Sequence, residues 1–72
     1  MNKRELRSIL ARQGDRQIDL AKYLCISEQT LSKKINEREG AEFSQTEIRQ
    51  IKEKYNLNAA QVDDIFFTIN VS

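Results

Sequence analysis

Residues 17–36, QIDLAKYLCISEQTLSKKIN, hold two short apolar periodicities with a break between them, and that break decides the fold. Leu20, Ala21 and Leu24 recur at helical spacing in the first half, and Leu31 and Ile35 stand four residues apart in the second. Cys25 and Ile26 mark a turn. Ser27 follows as a natural N-cap, since its hydroxyl can accept a backbone N–H from the first turn of the next helix. Two short helices joined by so brief a turn must cross steeply, which demands a small side chain at the crossing. Ala21 stands there, and Leu20, Leu24, Ile26 and Leu31 are expected to seal the angle from inside. The second helix is thereby held away from the body, with Glu28, Gln29, Thr30, Ser32 and Lys33 facing outward.

Outward from this stretch the chain reads as helix throughout. Leu6, Ile9 and Leu10 give one apolar stripe over about residues 2–13, with Gly14 as its stop and Asp15 as the expected cap of the following helix. Residues 36–42 form a polar loop. Ser44 and Glu47 have capping-box spacing and open a fourth helix with Ile48, Ile51 and Tyr55 on one side. Asn58 caps a short fifth helix ending near Phe66, with Val62, Ile65 and Phe66 buried. Beyond it Phe67, Ile69 and Val71 alternate with polar residues, the period of a half-buried strand that would pair with a second copy or pack back over the helices. The predicted organisation is one all-α, five-helix domain over residues 1–66, followed by a short extended tail over residues 67–72.

Composition narrows the function classes. A 72-residue chain buries little surface and needs well-packed helices or a second copy to be stable. Its single cysteine forms no internal disulfide, and the absence of histidine all but excludes a zinc site, so no cofactor is expected. No apolar run suits a signal peptide or a membrane span, and a cytoplasmic protein is expected. There is no glycine-rich phosphate loop, and Cys25 has no histidine to activate it, so an enzyme is not expected. Asp63 and Asp64, adjacent on a helix, diverge and make a poor cation site. Net charge is only +1, but residues 1–40 carry nine Lys/Arg against six Asp/Glu, whereas residues 41–72 carry three against five. Positive potential therefore gathers on the N-terminal half, where a phosphate-facing surface would lie.

A polar helix held clear of its domain fits a DNA major groove, which is about 12 Å wide. Residues 17–36 also resemble the Cro/repressor-type (Xre-like) helix-turn-helix family, whose pattern runs roughly Q-x-x-L-A-x-x-L-G-[IV]-S-x-x-T-[LIV]-S-x-x-x-N-G. Gln17, Leu20, Ala21, Leu24, Ile26, Ser27, Thr30, Leu31, Ser32 and Asn36 match it, and the resemblance extends over about residues 3–66. The run Thr30 to Asn36, with Phe43-Ser44 and Ile65-Phe66-Phe67, looks like small Cro-like regulators of phages and integrated elements of Gram-positive bacteria. Three positions depart from the pattern. Cys25 replaces a turn glycine of positive φ, Glu37 replaces the glycine after Asn36, and Arg16 stands at the capping position, which leaves Asp15 to cap.

The resemblance implies a double-stranded DNA operator, a homodimer and a phosphate contact from Gln17 at the start of its helix. Gln29 and Lys33, one turn apart, are the best base readers, since Gln pairs with adenine and Lys donates to guanine O6 and N7. Thr30 offers a methyl to thymine or packs beside Ala21. Glu28 either accepts from cytosine N4 or simply complements the helix dipole. Arg16, Ser27, Ser32, Lys34, Asn36, Arg38 and Ser44 are the remaining candidate phosphate contacts, Ser44 through backbone N–H groups at the start of the fourth helix. Tyr23 has no assigned role. The competing expectation is an antirepressor on the same scaffold that captures a phage repressor protein, for which near-neutral charge, Glu28 and the apolar tail all speak.

Overall fold

The computed structural model describes residues 1–67. Five α-helices run in order: α1 Lys3–Arg12, α2 Gln17–Leu24, α3 Glu28–Ile35, α4 Gln45–Lys54 and α5 Ala59–Phe66, with a 3₁₀ turn at Arg38–Gly40 between α3 and α4. No strand occurs among the described residues. The strand-like reading of residues 67–72 falls, apart from Phe67, outside them.

Four of the five helices begin on a side chain that answers an unpaired backbone donor. Asn2, Ser27, Ser44 and Asn58 accept from the N–H of Glu5, Thr30, Glu47 and Gln61, and Ser44–Glu47 and Asn58–Gln61 close as reciprocal boxes. The start of α2 corrects the expectation for Asp15. Arg16 is the N-cap residue and, lacking an acceptor, relies on the Asp19 carboxylate, which accepts the Arg16 backbone N–H at 2.8 Å. Asp15 is engaged elsewhere: it accepts from the Tyr55 hydroxyl at 2.8 Å and pairs with Lys54 at 3.4 Å. Burial, followed by the hydrogen bond to Asp15 and its charge, pushes the Tyr55 phenol above its ordinary value.

The ends of α1, α2 and α4 are set by left-handed residues. Gly14 (φ 73) ends α1, where Asp15 N–H reaches back to the Leu10 carbonyl at 2.9 Å. Cys25, at φ 60 and ψ 37, does the same for α2, as Ile26 N–H reaches the Ala21 carbonyl at 3.0 Å. Asn56 (φ 52) repeats the arrangement after α4. A side chain at positive φ is tolerated at a cost of roughly 1–2 kcal/mol. Cys25 bears it because the turn between α2 and α3 is only three residues long.

The core is one cluster. Leu6, Ile9 and Leu10 of α1 meet Leu20, Ala21 and Leu24 of α2, Leu31 and Ile35 of α3, Ile51 and Tyr55 from α4, and Val62 and Ile65 of α5. Leu57, which carried no expectation, is also buried there. Ile26, Ile48 and Phe66 are half-buried at its margin rather than within it. No helix among the described residues is long and apolar enough to cross a membrane.

Candidate nucleic-acid interface

Ala21 has 2% of its surface exposed at the α2–α3 junction, and Leu20 and Leu31 beside it have none, so two short helices share a sealed inner angle. The outer side of α3 is left open. Glu28, Gln29, Thr30 and Lys33 are exposed, and Ser32 is half-buried. Glu28 lies in the first turn of the helix, where a carboxylate favours the N-terminal dipole. Gln29 makes no side-chain hydrogen bond to the described residues, so its amide remains available. Thr30 stays exposed, and its Oγ1 accepts from the Ser27 hydroxyl at 2.8 Å.

The far end of α3 is tied down more tightly than the sequence suggests. Asn36 Nδ2 donates to the Ser32 carbonyl at 2.9 Å, while its Oδ1 accepts from Lys3 Nζ at 3.2 Å, which joins α1 to the end of α3. Asn36 thus closes the helix instead of projecting from it. Lys34 is likewise committed. Its ammonium donates to both carboxylate oxygens of Glu47, at 2.6 and 2.7 Å, with side-chain exposures of only 18% and 11%. Burial by itself would raise the Glu47 carboxyl. The Lys34 hydrogen bond, the backbone N–H of Ser44 and the Lys34 charge outweigh it and hold the group below its usual value.

That carboxylate changes the start of α4. Ser44 N–H donates to Glu47 at 2.8 Å, so this donor, expected at a phosphate, is already satisfied by an anion. Arg16 and Gln17 stand at the opposite end of α2, and no hydrogen bond or ion pair among the described residues links them to the α3 row. The Gln17 side chain has no partner there. Arg16 reaches Asp19 only loosely, at 3.9 Å.

Most of the candidate cations are already paired with acids. Of the four cations expected at bases or phosphates, Lys33 pairs with Glu39 at 3.1 Å, Lys34 with Glu47 and Arg16 with Asp19. Arg38 is exposed and makes no ion pair with the described residues. Glu28 and Glu42 are exposed acids, also without ion-pair partners among them. Neither the Glu39 nor the Glu47 partnership was legible in the sequence. The partners lie six and thirteen residues apart, across a loop whose path no helical period predicts.

Among the described residues no cluster of His, Cys, Asp or Glu is placed to hold a metal ion. Tyr23 is exposed, and Lys54 lies over its ring at 4.9 Å from the centroid. No family model, curated protein or solved structure matches the chain.

Proposed function

We propose that the chain is a sequence-specific DNA-binding regulator of the Cro/repressor helix-turn-helix type, acting in the cytoplasm as a homodimer. The observation that carries this reading is the exposed row Gln29–Lys33 on a helix whose opposite side is sealed against α2. A Gln amide and a Lys ammonium one turn apart suit adjacent base edges in a major groove. Gln17, at the first position of α2 with an unengaged amide, suits a phosphate beside a helix N-terminus. Arg38 and Arg16 add sequence-independent attraction. The described residues span 30 Å and offer one such helix, whereas half-sites of a two-fold operator lie about 34 Å apart, so contact with both half-sites takes two copies.

Charge balance favours a second reading, in which the same face meets a protein. With Lys33 and Lys34 paired to acids, and Glu28 exposed in the first turn of α3, the helix offers phosphates little net attraction. This is the antirepressor alternative, with a phage repressor as partner. Selection of bound duplexes from a random library, followed by titration of the winner at two salt concentrations, separates the two. A regulator of DNA yields a consensus and an affinity that falls steeply with salt. A chain that enriches no sequence is not one.

A further inference from the structure

Glu39 occupies an unfavourable place. Its backbone is left-handed (φ 56), as is that of Glu37 (φ 53), with Gly40 (φ 73) immediately after, so three of four consecutive residues take a conformation natural only to the glycine. It also brings a carboxylate to the C-terminal end of α3, where the helix dipole disfavours negative charge. Neither the backbone nor the helix calls for an acid there. The turn is nonetheless fixed: Glu37 N–H reaches the Lys34 carbonyl at 3.3 Å, and Ala41 N–H reaches that of Arg38 at 2.9 Å. The result is a carboxylate 3.1 Å from the ammonium of Lys33, the cation of the outward row, in an exposed pair whose side chains are 51% and 74% accessible.

We propose that Glu39 is a specificity-determining residue, which offsets the charge of Lys33 so that this lysine reads bases rather than phosphates. The inference rests on the DNA-binding reading. An ammonium carries three N–H donors. The contact with Glu39 is an ion pair without hydrogen-bond geometry, so these donors stay available, and two of them suffice for O6 and N7 of a guanine. Attraction to phosphates, in contrast, follows net charge and is blind to sequence, and Glu39 lowers the net charge beside Lys33 that drives it. Glu39 therefore lowers affinity for DNA in general while leaving the directional bonds to a correct base available.

The test compares wild type, Glu39→Gln and Glu42→Gln on the duplex selected above and on a scrambled duplex of the same length and composition. Glu42 is an exposed acid near the same turn that makes no ion pair with Lys33, so its variant removes equal charge without freeing the lysine. Glu39→Gln is expected to bind the scrambled duplex several-fold tighter, with its salt slope steeper by about 1, and to lose at least about threefold in the ratio of specific to scrambled affinity. Glu42→Gln should move both duplexes by one factor and keep the ratio. In a Lys33→Ala background, Glu39→Gln should no longer alter the ratio. An unchanged ratio in Glu39→Gln, an equal change in Glu42→Gln, or an effect that persists without Lys33 overturns the proposal. Failure of wild type to select any duplex instead overturns the DNA-binding reading, and the proposal with it. Thermal melts of each variant establish that the fold is intact.

Discussion

Lys34 on α3 and Glu47 on α4 form a two-pronged ion pair, with ammonium-to-oxygen distances of 2.6 and 2.7 Å, and the same Glu47 carboxylate receives the N–H of Ser44. One carboxylate thus caps a helix and fixes its neighbour. The outward helix is held from inside by apolar packing through Leu31 and Ile35, and at its far end by this pair and by Asn36.

Removing the charge of Glu47 leaves the Lys34 ammonium largely enclosed and without its counter-ion. Glu47→Gln is expected to destabilise the domain by about 1–3 kcal/mol in urea unfolding, since a buried group that loses its partner bears the desolvation cost alone. Stability should also acquire a different pH dependence. The Glu47 carboxyl sits below its unfolded value of 4.5, so its contribution is complete above that pH and disappears as pH falls through the lower folded value. Wild type should therefore lose stability on acidification below about pH 4.5 more steeply than Glu47→Gln. Parallel acid profiles would show that the pair adds nothing.

At the α2–α3 turn, Cys25 holds φ 60 with its side chain exposed. Cys25→Gly removes the steric conflict of its Cβ and should raise stability by up to about 1 kcal/mol, without altering binding. Cys25→Val, branched at Cβ, should lower it. Thermal unfolding of the two variants checks the sign, and a Gly variant less stable than wild type would mean that the thiol contributes packing of its own.

If α3 reads bases, its two candidate readers should behave differently from the candidate phosphate contact. Gln29→Ala and Lys33→Ala are each expected to cost roughly 1–3 kcal/mol on the selected site while sparing stability. Gln17→Ala should weaken every duplex alike, because a phosphate carries no sequence. Titrations on selected and scrambled duplexes distinguish the two patterns, and wild-type affinity in both α3 variants would displace the reading helix from α3.

Phe67 is 55% exposed beside Phe66, whose ring meets that of Phe43 edge-on at 5.5 Å, and all three line a groove of about 300 Å³ with Ile48. Burying such a side chain contributes roughly 1.5–3 kcal/mol, which favours association between copies. Deleting residues 67–72 is expected to convert a dimer to a monomer and to abolish tight operator binding, with the helical signal retained. Sedimentation and circular dichroism of the shortened chain measure both. A dimer that persists would place the interface elsewhere, and loss of helix would assign the tail to the core.

The helices themselves were legible because their signals are local. Apolar spacing located all five, Ser27, Asn58 and the Ser44–Glu47 box marked three starts, and the inner face of α2 follows from Leu20, Ala21 and Leu24. The positive φ of Cys25 came from the family resemblance, which places a turn glycine there, and the structure has it at φ 60. A cap, a stripe and a turn each involve residues within about one helical turn of one another, and such energies are readable along a chain.

Charges are another matter. The sequence reading made Lys33 a base reader, Lys34 a phosphate contact and Asp15 a cap. Tertiary packing instead turned Lys34 inward to Glu47, set Glu39 against Lys33 and gave Asp15 to Tyr55, forty residues away, leaving Asp19 to serve Arg16. An ionic group is satisfied by whichever opposite charge the folded chain brings within reach, and that distance depends on how the elements pack rather than on sequence separation. The sequence by itself determined which segments are helical and which sides they bury; only the tertiary structure decided which charges of the outward face remain free to act.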